Sequence, residues 1–214
     1  MTEVSLLTRL GALAAAALVA TLVRRFARGQ NRPHAKLGGR ISRPKQLWLG
    51  FTVYAWFCLC PLLALEGALH PVLRTLLGLF ALSMWIRGIA ELVMLYVTRS
   101  WRPPYGIAHD LSCIALLVGG LVMERDALAA LEAPLDHWGL ALVRALLVSL
   151  VLETYYAYAF FHLVEGRTTG EDGVWFADEE DPRYRRINRI TTAGNVVLYG
   201  FLAAFLVALW LIGR

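Results

Sequence analysis

Six apolar runs divide this 214-residue chain, and no stretch between them is long enough for an ordinary soluble domain. They lie at about residues 5–23, 47–65, 72–97, 107–123, 138–164 and 190–212. Each is close to the roughly 20 residues that a helix needs to cross a bilayer. Lipid offers no partner to backbone N–H and C=O groups, so such runs close their hydrogen bonds internally as helices. The expected fold is all-α, a single polytopic domain of six transmembrane helices. Composition agrees: 58% of residues are hydrophobic and only 17% charged, against about 45–50% and about 25% in soluble domains.

Orientation follows from where the basic residues fall. Residues 24–46 carry Arg24, Arg25, Arg28, Arg32, Lys36, Arg40, Arg43 and Lys45, with no acidic residue. The loops 98–106 and 165–189 also hold arginine, including Arg99, Arg102, Arg183, Arg185, Arg186 and Arg189. Positively charged loops stay in the cytoplasm, so these three are expected inside and both chain termini outside. The net charge of +5 is then a topology signal. The lipid bilayer is the expected partner, and no nucleic acid is, since no base-reading motif accompanies the charge.

The connection after the fourth run is acidic on balance, and ERDALAALEA within it has the composition of a short surface helix. Asp181 followed by Pro182 is a helix-start pair, as cap and first helical residue. The first run, rich in alanine, is expected as a retained helix that a neighbour can approach closely. Lys36 and Lys45 are the only lysines beside abundant arginine, alanine and leucine. That bias suits a GC-rich bacterium, which makes a bacterial inner (plasma) membrane the expected location.

Within the third run, WIRGIAELVMLYV (Trp85 to Val97) places Arg87 and Glu91 at membrane depth. Four residues apart, they share a helix face and can pair. Ionisable groups in a span are costly and turn toward a protein interior or a water-filled cavity. At about 1.5 Å per residue, Arg87 and Glu153 fall at similar depth, about 15–16 Å from the inner ends of their runs. Glu91 falls one turn nearer the cytoplasm, level with Tyr158. His109, Asp110 and His162 are expected at the inner mouth, with His109 and Asp110 pointing apart. If the third, fourth and fifth helices meet, these seven residues enclose a polar pocket open to the cytoplasm.

That pocket supports three expectations. The first is a small channel or transporter for a solute or ion, with Glu153 or Glu91 exchanging protons and Arg87 as countercharge. The second is an intramembrane enzyme acting on a lipid or peptide through the same Glu, His and Asp residues, although HExxH and GxSxG motifs are lacking. The third is a structural subunit whose Arg87 pairing holds helices in register. A homo-oligomer is compatible with each. The cysteines, Cys58, Cys60 and Cys113, are odd in number, lie in apolar runs, and read as small buried hydrophobes. His70 and His137 outside, with His109 and His162 inside, match a two-haem electron carrier in count alone, and the sequence specifies no cofactor.

Overall fold

The structure, a computed structural model, describes residues 43–98, 103–164 and 185–212. All the regular structure among them is helical. Five helical segments are long and apolar enough to cross a membrane, as in a multi-pass membrane protein. They correspond to the second through sixth apolar runs. The first run, residues 5–23, most of the basic loop after it, and the Asp181–Pro182 pair lie outside the described residues.

The first described span is built in three pieces: α1 (Arg43–Tyr54), a π-helical turn (Ala55–Leu59) and α2 (Cys60–Ala64). The π turn has a local cause. Pro61 has no N–H, and its ring crowds the carbonyl four residues back, so an α-helical ladder fails there. The helix widens instead, and the Cys60 N–H reaches the Ala55 carbonyl. Periodicity alone carried no sign of this turn; Pro61 was the available signal.

The second span, α3 (Pro71–Tyr96), begins at a built cap. His70 Nδ1 accepts from the Val72 N–H at 3.3 Å, and Pro71 occupies the first turn. The His70 N–H donates to Asp136 Oδ1 at 2.7 Å, which ties this end of α3 to the start of the fifth run. His70 thus serves as a capping residue, and Asp136 is buried.

The third span, α4 (Pro103–Met123), starts about one turn before the expected boundary at residue 107. Pro103 and Pro104 occupy the first turn, where a missing N–H costs nothing. A short α5 (Arg125–Ala129) follows, where the surface helix was expected. Two further spans, α6 (Pro134–Val164) and α7 (Arg185–Ile212), complete the described chain.

The helices close a ring. The first span packs on α3, α3 on α4, α4 on α6, α6 on α7, and α7 back on α1. A further contact between α3 and α6 crosses the interior. Trp56 Nε1 donates to Ser149 Oγ at 3.1 Å, joining the π turn to α6 inside the ring. Trp48 and Trp56 are buried at 3% and 4% exposure. Trp56 stands edge-on to Phe80 and Trp48, an arrangement that aromatic quadrupoles favour.

The outer surface is also apolar, with Leu79, Leu82, Ile86, Ile89 and Val93 of α3 exposed. A helix hydrophobic all round suits lipid rather than water. Gly88 shows how tightly α3 sits on the π turn: a Cβ there would lie 3.0 Å from the Phe57 ring.

Candidate functional site

Arg87, Asp110 and Glu153 stand on α3, α4 and α6, the three helices that meet on one side of the ring. Asp110 is fully buried, and its Oδ1 pairs with Arg87 Nη1. Arg87 has a side-chain exposure of 12%. A second carboxylate, Glu91, sits one turn along α3 with Oε2 3.5 Å from Arg87 Nε, at 34% exposure. Glu153 is half-buried on α6, and its charge acts on both Arg87 and Asp110. One guanidinium is therefore surrounded by carboxylates from three helices.

The sequence placed Asp110 at the inner mouth and pointed it away from His109. The structure differs on the second point, and it starts α4 earlier than expected. With α4 starting at Pro103, Asp110 lies about two turns inside the helix. His109 Nδ1 comes within 3.6 Å of Asp110 Oδ1. Neighbouring residues diverge by about 100° around a helix, but the long imidazole bends back across that gap.

His109 also reaches α3. Its Nε2 lies 3.0 Å from Ser83 Oγ and 3.2 Å from the Ser83 carbonyl oxygen. Cys113, one turn further along α4, places Sγ 3.3 Å from Ser83 Oγ and 3.8 Å from the imidazole nitrogens. The result is a continuous polar ladder. Ser83, Arg87 and Glu91 recur every fourth residue on α3; Ser83 meets His109 and Cys113 on α4, and Arg87 meets Asp110.

Ser83 and Cys113 were not candidates from the sequence. The signal was present, because Ser83 precedes Arg87 by four residues and Cys113 follows His109 by four, the spacing that stacks side chains on one helix face. Cys113 is buried in the hydrophobic core, as expected of a small hydrophobe, and it also contacts polar groups.

Of the other expected residues, Tyr158 is 55% exposed on α6. The backbone of His162 belongs to α6, but its side chain lies outside the described residues. No group of three or more His, Cys, Asp or Glu among the described residues is arranged to hold a metal ion.

Asp110 Oδ2 is buried and has no hydrogen-bond partner among the described residues; the same holds for Thr154 Oγ1, beside Glu153 on α6. An unsatisfied buried acceptor is costly, more so when charged. Such groups call for an explanation when they occur in a folded protein. Chemically, this oxygen is suited to hold a proton, a cation or a water next to the Arg87 pair.

Comparison with known proteins finds no matching family model, no matching curated protein and no matching solved structure.

Proposed function

We propose that the chain is a small membrane channel or transporter whose ion pathway runs through the Arg87–Asp110 site. The observation that carries this reading is a fully buried carboxylate with one oxygen unpartnered, set inside apolar helices. Intramembrane charges that line no pathway are rare because each is expensive to place there. Glu91 and Glu153 add negative charge around the site, which favours a cation over an anion.

The topology proposed with it has six spans in a bacterial inner membrane, the first formed by residues 5–23, and both termini outside. Its support is the arginine content of all three loops assigned to the cytoplasm. On this arrangement the end where α3 finishes and α4 begins faces the cytoplasm, and the site opens there through Glu91. Cysteines introduced at Gly38 and Ala130 are expected to label from opposite sides of the membrane; labelling from one side would sink the six-span arrangement. For transport, proteoliposomes are screened for proton, potassium and chloride flux. Cation flux above protein-free vesicles supports the reading, and no flux of any ion from folded protein overturns it.

A second reading has one specific observation in its favour. Ser83 Oγ, the His109 ring and Asp110 stand in the order of a nucleophile, a base and an orienting carboxylate, the arrangement of serine hydrolases. Asp110 is already committed to Arg87, so this reading ranks second. An intramembrane hydrolase would be labelled by a fluorophosphonate probe, and Ser83→Ala would abolish the labelling. Unlabelled wild-type protein removes the serine-hydrolase case.

A further inference from the structure

We infer that the transported or coupled ion is the proton, and that His109 is the residue that takes it up and passes it to Asp110. This rests on the transport reading above and names its substrate class.

Acceptor oxygens face both ring nitrogens of His109. Nε2 lies 3.2 Å from the Ser83 carbonyl oxygen, which only accepts hydrogen bonds, and 3.0 Å from Ser83 Oγ. Nδ1 lies within ion-pair reach of Asp110 Oδ1, and an ionised carboxylate also only accepts. A neutral imidazole carries one N–H and one bare lone pair. The Nε2–H tautomer turns a bare Nδ1 lone pair toward Asp110. The Nδ1–H tautomer lets Nε2 accept from the Ser83 hydroxyl but sets that lone pair 3.2 Å from the Ser83 carbonyl oxygen. The imidazolium, with an N–H on both nitrogens, satisfies both sides. The surroundings fit a ring that holds an extra proton.

The ring is also placed to exchange it. His109 is 24% exposed, whereas Asp110 is wholly buried. A proton from water therefore meets the imidazole before it can meet the carboxylate. Histidine is the side chain whose charge changes most readily near neutral pH.

The charged and titratable groups around this pair come from three helices. Asp110 and Cys113 belong to α4, Arg87 belongs to α3 with Glu91 beside it, and Glu153 acts from α6. Arg87 opposes a second positive charge on the ring, and the carboxylates support it. The transfer balances simply. A hydronium ion gives a proton to a ring nitrogen: its O–H bond breaks, an N–H bond forms and water is left. The Nδ1–H bond then breaks as the proton passes to Asp110 Oδ1, which leaves neutral imidazole and a carboxylic acid. The donor lost is Nδ1–H, which faces Asp110 on the same helix, but protonating Oδ1 removes the charge that pairs with Arg87 of α3. Proton passage is thereby joined to the α3–α4 contact.

The test combines flux with a direct look at the ring. In proteoliposomes under an imposed pH gradient, His109→Gln is expected to lower proton flux by at least about tenfold. In protein labelled with ¹⁵N-histidine, His109 is expected to show the imidazolium signature near pH 7, and the neutral one in Asp110→Asn. Proton flux unchanged in His109→Gln would overturn the inference, as would a ring that stays neutral from about pH 5 to pH 8. Potassium or chloride flux without proton flux overturns the inference alone. Absence of all flux overturns the transport reading as well.

Discussion

Arg87→Ala is expected to destabilise the protein by about 3–5 kcal/mol, the cost of leaving a buried charge without its partner. Asp110 has no exposure to water and meets Arg87 across the α3–α4 interface. Losing the guanidinium strands the carboxylate among apolar side chains. In a chain of this size, 1 kcal/mol moves the melting temperature by about 2–4 °C. The variant in detergent should therefore melt roughly 6–20 °C below the wild type. Two further variants separate the ion pair from simple loss of packing. Arg87→Ala with Asp110→Asn removes the stranded charge and should recover part of the loss. Arg87→Met with Asp110→Leu replaces the pair by apolar groups of similar volume, an exchange that is often neutral or stabilising elsewhere. Glu91→Gln should cost at most about 1 kcal/mol, because a partly exposed pair is weak. A single Arg87→Ala variant that melts within about 2 °C of the wild type would show that the pair does not support the fold.

The contrast between Arg87–Asp110 and Arg87–Glu91 also shows what the sequence could and could not reveal. The Arg87–Glu91 contact depends on one helix, so counting four residues was enough to anticipate it. The Arg87–Asp110 contact depends on the register of α4 against α3, which no single run encodes. That register turned on Pro103 and Pro104. Proline breaks a helix interior but suits its first turn, and a start at residue 107 left Asp110 near the mouth. Placed in the first turn, the two prolines carry Asp110 about two turns deep. Trp48 and Trp56 teach the same lesson differently. Aromatic residues in a span suit both an interface and a core, and for Trp56 only the facing residues, Phe80 and Ser149, decide between them. Membrane helices were legible because their requirement is local: enough consecutive apolar residues. The polar ladder was only half legible, since Ser83 and Cys113 matter through what lies opposite them.

The proposed role of the ladder in transport makes the second large prediction. Glu153→Gln is expected to cut cation flux by about thirty-fold without unfolding the protein. Glutamine keeps the shape and removes one negative charge from a position that acts on Arg87 and Asp110. Two unit charges about 8 Å apart at an effective dielectric constant of about 20 interact by roughly 2 kcal/mol. At about 1.4 kcal/mol per decade, this amounts to some thirty-fold in cation occupancy or barrier height. Glu132→Gln provides the control. That residue is exposed in the connection before α6, where salt screens its field within about 8–10 Å, so flux should not change. The sign is informative too. If Glu153 attracts the cation, its loss lowers flux at every pH at which the residue is ionised. If the carboxylate only balances Arg87 structurally, melting temperature falls and flux per folded protein stays constant. Flux per folded Glu153→Gln protein within about two-fold of the wild type would remove Glu153 from the pathway. The charge on α6 would then belong to the packing of Arg87 rather than to the ion.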